Sequence, residues 1–443
     1  MHLLAQLAFI GILTVAVFIF YKKAAALRRN IFLGREVSIN DNPSARWRNV
    51  LLLALGQKKM FQNPFVGVMH FIIYAGFIII NLEMLEIVLD GILGTHRLFL
   101  PWLGAGFYSF LINSFEILAF GVLAVCVVFL TRRNLIKLKR FISKDLDGWP
   151  RTDANLILVT EIVLMGLFLT MNATDLALQA KGASHYASTQ PFIISGLLAP
   201  AFEGLSINAL VALERTCWWL HIIGILAFLN YLPYSKHLHI VLAFPNAYYA
   251  ALTPSGKMNN MPEIQREVLY AMDPAAAANA PATDAPKKFG AKDITDLTWK
   301  NLLDSYSCTE CGRCTAECPA NQTGKLLSPR AIMMKTRDRA DAVGANIDAN
   351  KGSFVDDGKA LLRDYISEEE LRACTTCNAC VEACPVSISP VDIIVQLRRY
   401  MIMEESVAPS EWTGMFTNTE TNFAPWKFSP DERDKWAEEM AEA

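Results

Sequence analysis

Net charge is nearly absent from this chain of 443 residues: 41 lysines and arginines stand against 43 carboxylates, leaving −2 at pH 7. Without a basic excess there is no electrostatic footprint for nucleic acid, which argues against such a partner. A secretory leader is missing too. The first apolar run, about 3–20, has no basic segment ahead of it and is followed at once by Lys22 and Lys23, the reverse of a signal peptide. It reads as a retained membrane span. Cysteine is scarce over most of the chain: only Cys126 and Cys217 lie outside one C-terminal region, both in apolar runs where a thiol packs as a small hydrophobe.

The other eight cysteines fall in two copies of one string, Cys308-Thr-Glu-Cys311-Gly-Arg-Cys314-Thr-Ala-Glu-Cys318-Pro319 and Cys374-Thr-Thr-Cys377-Asn-Ala-Cys380-Val-Glu-Ala-Cys384-Pro385. Three thiolates spaced by two residues can wrap three corners of a cubane, while the fourth, carried off by the next helical turn, reaches the other cluster. The expected ligand sets are therefore crossed. Cys308, Cys311, Cys314 and Cys384 would hold one [4Fe–4S] cluster, and Cys374, Cys377, Cys380 and Cys318 the second. Each proline ends its run and turns the chain away. Zinc explains the pattern poorly, because it takes four ligands per site, usually from two separated C-x2-C pairs. Disulfides would require an oxidising compartment, against the topology below.

Hydrophobic residues make up 53% of the chain and concentrate in roughly the first 250, which points to membrane spans. The expected fold is mainly α: a five-helix transmembrane bundle over 1–250, a juxtamembrane segment and linker over 251–292, and a helical dicluster ferredoxin-type domain over 293–443. The spans are expected at about 3–20, 64–89, 107–130, 154–171 and 216–233, each near the ~20 residues a bilayer core requires. Segment 21–63 carries nine basic residues against Glu36 and Asp41, and 132–151 is basic as well. Both read as cytoplasmic loops, so the N-terminus is outside and the cysteine-rich domain is in the reducing cytoplasm.

An ionisable group in a span is costly and so is a functional hypothesis by default. Four histidines lie at or near spans: His70, His221, His237 and His239. His70 stands near the cytoplasmic start of the second span, level with the cytoplasmic end of the antiparallel fifth, so bis-histidine ligation of a b-type haem is expected between these helices. His221 and His239 are eighteen residues apart, which is five turns, so they share one face if the helix runs on, about 27 Å apart and far enough for two haem levels. His237 is rotated about 160° from that face. His239 is therefore ranked first as partner of His70, with His237 its competitor because Pro233 interrupts the register. His221 is available to a second haem, although Ile80 rather than histidine stands where its partner would be. The plain alternative is that these rings are packed or interfacial. His2, His96 and His185 read as surface residues. Glu83, Glu86, Asn113, Glu116, Glu161, Glu214 and Arg215 are further polar residues in or beside spans, open between proton relay, quinone pocket and structural pairing. Residues 273–288, rich in Ala and Pro, read as a flexible linker, and Ser328-Pro329-Arg330 as a capped helix start.

The membrane half resembles the respiratory nitrate reductase gamma-subunit fold, with five spans, the N-terminus outside and histidines in the second and fifth. His70, His221 and His239 carry over, while the second ligand of the second span is absent. Over its whole length the chain is similar to the heterodisulfide reductase D-type iron–sulfur oxidoreductases that carry a fused membrane domain. The likeness rests on Gly67-Val-Met-His70, Ser235-Lys-His-Leu-His239, Cys311-Gly-Arg-Cys314, Leu327-Ser-Pro-Arg330, Asn422-Phe-Ala-Pro-Trp426 and Trp436-Ala437. That resemblance implies electron transfer between electron-transfer flavoprotein and menaquinone. In the family the Trp-Ala segment precedes a domain with CCG repeats holding a further iron–sulfur centre; here the sequence ends at Ala443, so the CCG domain is expected on a separate subunit.

The expected function is a multi-pass electron-transfer subunit of the bacterial inner membrane, linking a CCG-domain or flavoprotein partner to menaquinone through two [4Fe–4S] clusters and one or two haems b. The alternatives are a quinol-oxidising subunit of a heterodisulfide-reductase-like complex, a non-catalytic redox sensor, and a membrane anchor without haem. No catalytic side chain is singled out.

Overall fold

The computed structural model describes residues 3–254, 256–258, 260–278, 288–427 and 429–442. His2 and most of the 273–288 stretch lie outside the described residues. All regular elements among them are helical, with isolated bridges such as Arg35 to Thr298 in place of any strand. Five helices are long and apolar enough to cross a membrane: α1 (Leu3–Ile31), α2 (Pro64–Leu93), α3 (Leu100–Asn134), α4 (Trp149–Ala180) and α5 (Ile207–Tyr231). Local signals set their ends. Asn63 caps α2, its side chain accepting from the Val66 N–H at 3.2 Å with Pro64 in the first position, and Gly94 closes it at φ 75°. A break at Gly104 (φ 71°, ψ 150°) interrupts the first turn of α3, a conformation open to glycine. The helices follow one another as packed neighbours from α2 to α5, and α1 lies against α2 and α5. Gly91 of α2 gives the ring of Phe9 its seat, so α1 approaches closely there.

After α5 the chain turns through Leu232–Tyr234 and Lys236–Leu238 into α6 (His239–Tyr248). The dicluster region is built on α7 (Trp299–Tyr306), α8 (Pro329–Ala349) and α9 (Pro390–Met403), around a core that includes Leu302, Ile332, Leu361, Ile393 and Leu397. This core draws on residues far ahead of 293: Ile31 at the end of α1 is part of it, and Leu33, Leu242 and Tyr249 pack against it. The last turn of α1 is also fixed by polar contacts. Asn30 donates to the Tyr306 hydroxyl at 3.2 Å and to Asp341 at 3.4 Å, Arg29 donates to the Gly344 carbonyl at 3.0 Å, and Gly344 leaves space for the Asn30 amide.

Among the described residues, the dicluster region meets the bundle at the end formed by the α1 C-terminus, the α2 N-terminus, the α3–α4 loop and the α5 C-terminus. Arg330 shows how they are made. Ser328 caps α8 by accepting from the Ala331 N–H at 3.3 Å, and Pro329 takes the first position. Arg330 is thereby aimed at the α3–α4 loop, where it is buried and forks onto Asp145 at 2.6 and 2.9 Å while donating to the Arg140 carbonyl at 2.9 Å. Burial raises the Asp145 carboxyl, but the Arg330 hydrogen bonds and charge outweigh it and hold the group below its ordinary value. Its contribution to docking is complete above the usual carboxylate range and is lost as the pH falls through that lowered value. Removing one member of a buried pair costs about 3–5 kcal/mol. Arg330→Ala is expected to lower the thermal midpoint and expose 139–146 to protease, with Arg330→Lys intermediate because it keeps charge without the fork.

Candidate metal centres

The two cysteine runs fold alike. Glu310 and Thr376 adopt φ 52° and 54°, Gly312 and Asn378 φ 74° and 61°, and each run closes on a short helix, Arg313–Ala316 or Ala379–Ala383. This double left-handed turn curls the backbone over its own sulfurs. The Glu310 N–H donates to Cys308 Sγ at 3.5 Å, Thr376 to Cys374 at 3.4 Å, and Ile388 to Cys384 at 3.3 Å. Such donors favour the thiolate that iron binds. A side chain at Gly312 would collide with the Arg330 guanidinium, so the docking contact also shapes the first run.

The short helices of the two runs pack on each other, and this exchanges their fourth cysteines. Burial pushes Cys384 up to about 12, and the nearby thiolates of Cys311 and Cys308 add to it. Cys380 is likewise raised to about 12 by burial, then by Cys374, Cys318 and Cys377. The structure thus brings Cys384 to Cys308, Cys311 and Cys314, and Cys318 to Cys374, Cys377 and Cys380. Cys380 and Cys384, raised in this way, would ionise only beside compensating positive charge, which iron ions would supply. No group of three or more His, Cys, Asp or Glu placed to hold a single metal ion is found among the described residues. Cys377 is the exposed member of the eight.

The histidines are arranged differently from the helical extrapolation. α5 does not run on to His239: it ends at Tyr231, and Pro233 leads into two 3-10 turns before α6 begins at His239. The face expected to join His221 and His239 is therefore lost. His237 and His239 both come up to His70 instead, their own rings 5.7 Å apart at 84°. Burial pushes His237 down to about 3, and the neighbouring His239 and His70 rings add to the shift. His70 donates through Nδ1 to Gln57 Oε1, His239 to the Lys236 carbonyl and His221 to the Leu164 carbonyl, each at 3.0 Å. Nε2 then keeps its lone pair, the state in which imidazole binds a metal. In His237 the Nε2 is buried with no hydrogen-bond partner. His221 is buried against Leu164 and Phe168, apart from the other three.

Arg313, inside the first cysteine run, joins the two kinds of centre. Its guanidinium donates to the Lys59 carbonyl at 2.9 Å, in the same turn as Gln57, the partner of His70. Lys59 in turn donates to the Glu382 carbonyl of the second run at 3.0 Å.

At the opposite end of the bundle a polar network centres on Arg97, which the sequence shows only as a lone basic loop residue. Arg97 is buried and donates to Asp175 at 2.7 Å, Tyr108 at 3.0 Å and Asn172 at 3.2 Å; Tyr108 continues to Glu86 at 2.8 Å and Asn172 to Glu116 at 3.1 Å. His96, expected at the surface, is half-buried here, 3.7 Å from Asp175 and edge-on to Tyr186. His185 is exposed. Pairing accounts for Glu86, Glu116, Asn113 and Glu214, whereas Glu83 Oε2 is buried without a partner.

A family model described as a 4Fe-4S dicluster domain matches residues 307–388, which span both cysteine runs. The chain is 29% identical to the probable iron-sulfur-binding oxidoreductase FadF of Bacillus subtilis, over 99% of this chain and 61% of that protein. It is 28% identical to the EtfAB:quinone oxidoreductase of Syntrophomonas wolfei, over 91% of this chain and 55% of that protein. The homologues of this chain are iron–sulfur oxidoreductases. A shorter match, 34% identical over 35% of this chain and 25% of the relative, is to a probable membrane-anchored ferredoxin of Chromohalobacter salexigens. The chain spans less than two thirds of the length of each of these three relatives. No solved structure matches it significantly.

Proposed function

We propose that this membrane protein passes electrons between a partner outside the bilayer and menaquinone, by way of two [4Fe–4S] clusters and haem b. What carries the reading is the junction at Arg313, which ties the first cysteine run to the turn whose Gln57 holds His70. The basic segments 21–63 and 132–151 lie at the dicluster end of the bundle, which supports a cytoplasmic dicluster domain and a bacterial inner-membrane location. The name of the S. wolfei relative supports an electron-transfer flavoprotein and a quinone as the two partners. The CCG-type subunit implied by the family resemblance would stand between flavoprotein and chain.

The bound groups supply one-electron carriage; the chain supplies their placement and tuning. Cys308, Cys311, Cys314 and Cys384 hold one cluster and Cys374, Cys377, Cys380 and Cys318 the other, each with backbone donors on its sulfurs. His70 and His239 hold haem b, with Gln57 and the Lys236 carbonyl fixing their tautomers. His237 is the alternative partner of His70, and His221 is available to a second haem. Exposure of Cys377 turns the second set toward the soluble partner, and Arg313 turns the first toward the membrane. Reversed flow, from quinol to a heterodisulfide-reductase-like acceptor, uses the same residues.

Anaerobically purified protein titrated with a menaquinol analogue tests this. A b-type absorbance and four-iron signals that both respond to the quinol at turnover rates are expected. Clusters that ignore quinol, without a b-type band, would leave an anchored ferredoxin.

A further inference from the structure

Between the dicluster region and the bundle lies a cavity of about 410 Å³, inside the usual range for small-molecule sites. Its walls include Lys23 and Arg29 of α1, Trp149 and Lys236 from the α4 and α5 ends, and Glu310 and Arg337 of the dicluster region. It touches both candidate centres. Glu310 donates its N–H to Cys308 Sγ at 3.5 Å, and the Lys236 carbonyl holds His239 at 3.0 Å. The Glu310 carboxylate is buried and closed by two cations: Lys236, which also donates to the Pro150 carbonyl at 2.6 Å, and Arg337 at 2.7 Å.

The lining says what could enter. Four cations face five carboxylates, so an anionic group such as a lipid phosphate would meet more negative than positive charge. A neutral ring bearing carbonyl acceptors suits it better. Lys23, poised 4.8 Å above the Tyr234 ring, offers N–H donors; Trp149 and Tyr234 offer aromatic faces, and Ala26 and Leu27 an apolar flank. α1 and α4 are membrane-length helices, and the cavity lies at their dicluster ends, where Trp149 and Tyr234 are the kind of aromatic residues that flank a span. We propose that this cavity binds the headgroup of a quinone, beside the Glu310–Lys236 pair that links the first cysteine run to the membrane histidines. The inference rests on the quinone-linked function above and adds its place.

Photolabelling of the full chain in membranes with an azido-naphthoquinone tests it. Label is expected on peptides around Trp149 and 233–238, displaced by excess unlabelled naphthoquinone. Ala26→Trp, which fills the cavity from α1, is expected to cut that label at least tenfold, and Lys23→Gln, at its exposed edge, about threefold. Iron–sulfur spectra unchanged from wild type show that each variant is folded and loaded. Competable label on other helices, equal in wild type and both variants, overturns the cavity while leaving the quinone function standing. Label displaced by anionic phospholipid vesicles but not by naphthoquinone assigns the cavity to lipid and overturns the proposal. No competable label anywhere in the wild type removes the quinone function itself.

Discussion

Cys384→Ser is expected to destroy the cluster gathered around the first cysteine run, although Cys384 belongs to the second. The packing of Arg313–Ala316 on Ala379–Ala383 carries each fourth cysteine across to the other set, and the thiolates that crowd Cys384 are Cys311 and Cys308. Iron should fall from about eight to about four atoms per chain. Coupling separates this from a general loss of stability, because members of one unit fail to add. Cys308→Ser combined with Cys384→Ser should therefore lose no more iron than either alone, whereas Cys377→Ser combined with Cys384→Ser should lose nearly all of it. The opposite pattern in anaerobic iron analysis and low-temperature EPR would show that each run serves its own cluster.

His70→Ala is expected to abolish the b-type absorbance and leave iron and sulfide content unchanged. His70 is the one candidate ligand on α2, and its Nδ1 is already engaged by Gln57, so Nε2 is the nitrogen offered to iron. Gln57→Ala keeps the ligand but frees its ring, and haem retention should weaken by about 10–100-fold. His239→Ala and His237→Ala, compared by the same spectrum, decide which of the two completes the pair. His221→Ala should remove a second haem signal and spare the first. An unaltered spectrum in His70→Ala would end the assignment.

The parts legible in the sequence are those set by near neighbours. Cysteine spacing marks the clusters because both left-handed turns and the closing helix lie inside each run, and apolar runs mark all five helices because burial in lipid is additive along a helix. The histidine register depends on whether α5 runs on past Pro233, which spacing alone does not decide, and the helix ends at Tyr231. Arg97 and His96 looked like loop residues because Asp175, which draws them inward, is 78 residues from Arg97. Arg330 was visible as part of a helix start, yet its partner Asp145 lies 185 residues away in the other half. Gln57 carried no signal beyond a polar residue thirteen positions before His70. Long-range partners of this kind have no sequence period to betray them.

The contacts that fix the last turn of α1 also set an order of manufacture. Asn30 leaves the ribosome among the first residues, but the groups it binds, Tyr306 and Asp341, follow 276 and 311 residues later. α1 is thus finished only after α7 and α8 have been made. Until the cysteine-bearing region is synthesised, Arg29 lacks the Gly344 carbonyl, Asn30 lacks Tyr306 and Asp341, and Ile31 has no core to enter. A chain stalled before that stage, or one starved of iron so that its cysteine runs stay unfolded, keeps an open N-terminal end that quality-control proteases can grip. Closure of that end reports, at the far side of the polypeptide, that assembly is complete.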